Sequence, residues 1–155
     1  MTPLSAKENR FWPWLFPITY LIHVAEELYG GEGYTVFLER LRDIHITPAR
    51  FTVAHFVALA LMILGIILAR RLGFPNLFTI VLGTTVLVNG LTHTVQTIYY
   101  GDYVPGFVSG VTIWIPLGVA TLMRFRKLMS RGRYVLAIAL GVGINVLVEL
   151  LIMWS

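Results

Sequence analysis

The chain has 155 residues, 57% of them hydrophobic and 13% charged, with a mean hydropathy of +0.76. A soluble domain carries about twice that charge, so the composition excludes an ordinary soluble globule and predicts one all-α integral membrane domain over residues 1–155. The absence of cysteine excludes disulfides, thiolate metal ligands and cysteine nucleophiles, and the net charge of +4 reads as basic loops facing an anionic leaflet, not as a nucleic-acid surface.

The chain opens on a polar head with Lys7, Glu8 and Arg10. A first apolar segment follows over residues 11–30, with Trp12 and Trp14 as interfacial anchors and Pro13 and Pro17 in its early turns. It ends in carboxylates and lacks a small-residue cleavage site, so it reads as a retained helix, not a signal peptide. Gly30-Gly31-Glu32-Gly33 breaks it. Residues 34–43 alternate Val36, Phe37, Leu38 and Leu41 with Glu39, Arg40, Arg42 and Asp43, which predicts a short amphipathic helix on the membrane surface. Four further apolar segments follow, over residues 49–69, 74–100, 104–123 and 134–154, with a kink expected at Pro116. Each is about the 20 residues that cross a bilayer, so the expected architecture is a bundle of five transmembrane helices. No internal repeat suggests inverted halves.

Five crossings put the termini on opposite sides. Nine of the twelve Lys and Arg fall on the N-terminal side: Lys7, Arg10, Arg70, Arg71, Arg124, Arg126, Lys127, Arg131 and Arg133. Arg40, Arg42 and Arg50 fall on the other. The positive-inside rule then predicts a plasma-membrane protein with a cytoplasmic N-terminus and an extracytoplasmic C-terminus.

The chemistry concentrates at His23-Val24-Ala25-Glu26-Glu27. Each ionisable group inside hydrocarbon costs about 2.5–3.5 kcal/mol on insertion scales, so such a cluster is a functional-site hypothesis by default. His23, Glu26 and Glu27 stand at i, i+3 and i+4 and share a helix face. At 1.5 Å rise per residue, His23, His55, His93 and Glu149 all fall roughly 8–10 Å below the outer ends of their helices. Asn89 and Asn145 sit one turn deeper than His93 and Glu149, and Gln96 one turn further out than His93, where groups orienting ligands would belong. His23, Glu27, His55, His93 and Glu149 are therefore the candidate metal ligands, with Glu26 and Glu27 as candidate proton-transfer groups. Imidazole and carboxylate donors suit zinc first, then iron or manganese. The Glu-x-x-His pair of ferritin-like di-iron bundles is missing.

Three motifs resemble one family. His23-Val24-Ala25-Glu26-Glu27 resembles the His-x-x-Glu-Glu signature of the HXXEE family of small bacterial membrane proteins. Asn89-Gly90-Leu91-Thr92-His93 resembles that family's Asn-x-x-x-His motif, and Val104-Pro105-Gly106 its Pro-Gly motif. The resemblance implies that His23, Glu26, Glu27, Asn89 and His93 act together, and it implies no reaction. His55 and Glu149 rest on depth alone.

Plainer readings stand beside these. The first cluster can be a polar cap on an emerging helix, Asn89 and His93 an interhelical hydrogen-bonded pair, Glu149 a buried neutral acid, and His45 a solvated loop residue or a lid ligand. Tyr99, Tyr100 and Tyr103 read as an interfacial belt. The expected function is a membrane-embedded metal-dependent hydrolase acting on a lipid-like or small amphiphilic ester or amide from the extracytoplasmic side. The alternatives are a proton- or metal-coupled carrier and a non-catalytic metal-binding protein. The expected partner is the lipid bilayer; a homodimer is left open, because Gly141 with Asn145 is too weak a pattern to assign a dimer face.

Overall fold

The structure, a computed structural model, describes residues 10–153, with side chains to residue 151. The polar head through residue 9, including Lys7 and Glu8, and the expected helix end at Trp154 lie outside the described residues. All regular structure among the described residues is helical. A 3-10 turn, Trp12–Trp14, leads into α1, Leu15–Tyr29. Then come α2, Tyr34–Arg42, α3, Pro48–Arg71, and α4, Pro75–Tyr100. α5, Phe107–Leu128, contains a π turn at Gly110–Trp114. α6 is Arg131–Met153.

Four helices, α3 to α6, are long and apolar enough to cross a membrane. The expectation of five is corrected. α1 has only 15 residues, short of the roughly 20 a crossing needs. Pro13 lies in the tighter 3-10 turn before it, and Gly31, at φ +57°, leaves the helical path after it. Elsewhere the start signals read as expected. Pro48 and Pro75 open α3 and α4, and the Thr47 side chain accepts a hydrogen bond from the Arg50 N–H.

The short amphipathic helix forms as α2; of its expected apolar residues Phe37 and Leu38 turn onto the protein, and Val36 stays 46% exposed. Tyr34, Phe37 and Leu38 are at most 4% exposed and pack with Phe51 and Val104. Arg40 ties α2 down from outside, donating to Glu32 and, at 2.7 Å, to Asp102. Those bonds hold the Asp102 carboxyl below its usual range.

α4 is the central helix, and small residues let its neighbours approach closely. A Cβ on Gly83 would stand 2.6 Å from the Thr121 side chain, and one on Gly118 2.7 Å from the Gly83 carbonyl oxygen. Gly141 packs in the same way on Thr84 of α4, so within the chain this pattern is a seam between α4 and α6. α3 and α6 instead turn Val53, Phe56, Leu61, Leu140 and Leu147 outward, as helices surrounded by lipid do. Pro116 has no N–H to give the Thr112 carbonyl, and one turn earlier the helix widens: the Ile115 N–H reaches back to Gly110. The π turn ends two residues before Pro116, where the sequence suggested a kink.

One end of the bundle is basic, carrying Arg70, Arg71, Arg124, Arg126, Lys127, Arg131 and Arg133. Trp12 is fixed near this end. Its indole N–H donates to Thr121 at 2.8 Å, and the Arg124 guanidinium lies 4.5 Å over its ring. α1 therefore runs from the basic end toward the opposite end, where α2 and the loop before α5 meet.

Candidate metal centre

The i, i+4 spacing on α1 brings His23 and Glu27 side by side, and α4 supplies His93. All three are buried, at 1%, 4% and 2% exposure. The Glu27 Oε1 lies 3.4 Å from His23 Nε2 and 3.3 Å from His93 Nε2. These three side chains can hold a metal ion: one ligand atom from each falls within 4.8 Å of the others. The other carboxylate oxygen, Oε2, lies 3.4 Å from His55 Nε2. His55 is thus drawn to the same glutamate from α3, on its far side, and is 21% exposed.

The imidazoles are held from behind. His23 Nδ1 is 2.8 Å from Ser109 Oγ, and the Ser109 hydroxyl donates to the Gly106 carbonyl at 3.4 Å. The Ser109 hydroxyl and His23 Nδ1 therefore share a hydrogen bond, and which of the two donates follows the tautomer of the ring. His23 Nε2 faces a carboxylate oxygen of Glu27. His55 Nδ1 is 2.7 Å from the Tyr20 hydroxyl. Trp114, from the π turn, stacks on His23 at 3.6 Å between ring centroids and on Tyr20 at 6.2 Å. Tyr34 of α2 covers His93, its ring 5.2 Å away. Burial and the nearby Glu27 carboxylate push the Tyr34 phenol well above its ordinary value, so it stays an O–H. Gly106, at φ +97°, closes the site. A Cβ there would stand 2.8 Å from His93 Cε1 and 2.9 Å from His23 Cε1.

Residues 14–121 match the family model described as "Protein of unknown function with HXXEE motif". The chain belongs to the HXXEE family. No curated protein and no solved structure matches it significantly.

The two glutamates of the HXXEE motif diverge. Glu27 turns into the cluster. Glu26 turns to the start of α5, where it accepts from the Tyr103 hydroxyl at 2.6 Å, the Val108 N–H at 2.8 Å and the Ser109 N–H at 2.7 Å. Burial and this bond push the Tyr103 phenol up to about 12. Of the remaining sequence-derived candidates, Glu149 is not brought to the cluster. It pairs with Arg42 at 3.2 Å, because α6 packs chiefly on α4 and shared depth does not give a shared direction. Asn145 donates to the Thr85 and Gly141 carbonyls and joins α6 to α4. Asn89 Oδ1 and Gln96 Oε1 are buried without a hydrogen-bond partner, as is His93 Nδ1, so no bond from Asn89 orients His93. His45 stays on the exposed side beside Glu39 and Asp43.

Sequence reasoning missed Tyr20, Gly106, Ser109, Trp114 and Tyr34. Tyr20 stands at i−3 from His23, on the same helix face, and was legible by spacing. Gly106 is the glycine of the Pro-Gly pair, a signal for a turn but not for what the turn touches, and Ser109 follows it by three residues. Trp114 is brought in by the π turn, which breaks helical periodicity.

Proposed function

We propose that His23, Glu27 and His93 hold one divalent transition metal, and that the protein is a membrane-embedded hydrolase of lipid-like esters or amides. The spacing of the ligand atoms carries this reading. Bonds of about 2.0–2.1 Å to a tetrahedral ion leave neighbouring ligand atoms about 3.3–3.4 Å apart. The two imidazole–carboxylate separations are 3.4 and 3.3 Å. Charge-assisted hydrogen bonds would be about 2.7–2.9 Å, and His23 Nε2 has no hydrogen-bond partner. A buried carboxylate set among three imidazoles at these separations is compensated by a cation. Zinc suits the donor set first, then iron or manganese.

Three protein ligands leave a fourth position, the arrangement of catalytic sites. When bound, such a metal lowers the pKa of a water it holds to about 7 and polarises a carbonyl. Glu27 is then a ligand and its remaining oxygen faces His55. His55, oriented by Tyr20 and the most exposed member of the group, takes the proton and returns it to the leaving group. The apolar outer faces of α3 and α6 favour a substrate that arrives from the bilayer. The basic end favours a cytoplasmic start of α1 and an extracytoplasmic site in the plasma membrane. A proton-coupled carrier is less well supported: toward the basic end the Thr79, Thr85 and Thr121 hydroxyls donate to carbonyls of their own helices, and among the described residues no ionisable side chain of the cluster is bonded to them.

Elemental mass spectrometry of the detergent-purified protein tests the reading. About one transition metal per chain is expected, lost in His23→Ala and His93→Ala. His55→Ala is expected to keep the metal and lose turnover of lipid esters or amides. Folded protein that takes up no zinc, iron or manganese would overturn the metal centre, and full turnover in His55→Ala would overturn the role of His55.

A further inference from the structure

We infer that Glu26 is a positioning residue, which sets the His23 ring by fixing the first turn of α5 and, with it, the Ser109 hydroxyl. The inference deepens the metal reading and rests on it for one of two readouts below.

Three donors converge on the Glu26 carboxylate. Oε1 accepts from Tyr103 and from the Val108 N–H, and Oε2 from the Ser109 N–H. N–H groups in the first turn of a helix lack partners within that helix, and a carboxylate is favourable there. By itself that is an ordinary helix cap. The second bond made by Ser109 makes it more. The residue whose N–H is held by Glu26 turns its hydroxyl onto His23 Nδ1 at 2.8 Å. His23 and Glu26 are one helical turn apart on α1, so α1 grips Ser109 twice, once at the backbone and once at the side chain. The turn held in this way begins at Gly106, whose backbone lies against Cε1 of both His23 and His93. A shift of that turn moves the partner of one imidazole and the wall behind both. No imidazole of the cluster contacts Glu26. The motif thus divides its labour: Glu27 meets the imidazoles, and Glu26 fixes the segment that holds them.

The test compares Glu26→Gln with the parent chain by two readouts. The first is 15N NMR of the His23 ring in metal-free protein, assigned through the signals lost in His23→Gln. The parent is expected to hold one tautomer of His23, and Glu26→Gln and Ser109→Ala to give a mixture of tautomers. A plain helix cap would change stability and leave the tautomer alone. The second readout is cobalt titration. Affinity is expected to fall about 10- to 100-fold in Glu26→Gln, the loss typical of groups that orient ligands, with shifted visible bands, while Glu27→Gln takes up none. A folded Glu26→Gln with the parent's tautomer and cobalt affinity would overturn the inference. If the parent binds no cobalt but the tautomer responds, the positioning role stands and the metal reading falls. If Glu26→Gln does not fold, Tyr103→Phe and Ser109→Ala decide: a changed His23 tautomer in both supports the inference, and the parent's tautomer in both overturns it.

Discussion

Glu27 is the residue on which three imidazoles converge, and the groups around it differ in what they tolerate. Gly106 tolerates least. Any side chain there meets His23 and His93 below 3.0 Å in a left-handed backbone conformation, so Gly106→Ala is expected to weaken cobalt binding at least tenfold, measured by titration in detergent. Tyr103 gives a pH signature. Its folded pKa is raised above the free phenol, so its bond to Glu26 stabilises below about pH 10 and is lost as pH rises through about 12. Ultraviolet titration is expected to find one tyrosine ionising near that pH, missing in Tyr103→Phe. At this scale the sequence was partly legible. Histidine and glutamate at i and i+4, matched in depth by a histidine elsewhere, located His23, Glu27 and His93. Depth alone could not distinguish His55, which reaches Glu27, from Glu149, which meets Arg42, because depth says nothing of the direction a side chain takes around its helix.

Among the elements, the seam between α4 and α5 carries the most constraint. Gly118 lies against the Gly83 carbonyl and Leu87, with a Cβ position 2.6 Å from the Leu87 Cβ. Gly118→Val is expected to separate the two helices and lower stability by about 1–3 kcal/mol, the usual cost of overpacking, read as an earlier midpoint in detergent-denaturant unfolding. If α4 and α5 only touched loosely, the midpoint would not move. The spans of the long helices were legible from hydropathy and from prolines at their starts. The length of α1 was not, because the Trp12–Trp14 turn has the composition of a helix and the tighter geometry of a 3-10 turn. The inward face of α2 was not legible either: the same amphipathic pattern fits a membrane surface and a protein surface.

Seen whole, the molecule has a basic end and an end where the site lies, with α1 running between them. The lack of cysteine makes this directly testable. A cysteine at Gly132, whose Cβ position is open, is expected to react only from the cytoplasmic side, and one at the exposed Glu39 only from outside. Labelling of both from the same side would invalidate the proposed orientation. The gathering of basic residues at one end was the most legible feature of the sequence, because counting Lys and Arg needs no knowledge of packing. It survives the loss of the fifth long helix, because Trp12 is held beside Thr121 and Arg124 near the basic end.

The Glu26 clamp also bears on how the chain is made. Its backbone donors lie 82 and 83 residues further along the sequence. At synthesis rates of about 5–20 residues per second, α1 emerges roughly 4–16 seconds before the turn that hydrogen-bonds the Glu26 carboxylate exists. For that interval Glu26 lacks its donors, and Glu27 has His23 of its own helix beside it but not His93. α1 then lacks what makes burial of those acids favourable, and its final docking must await α4 and α5. α1, made before α4 and α5, is on this account seated only after them.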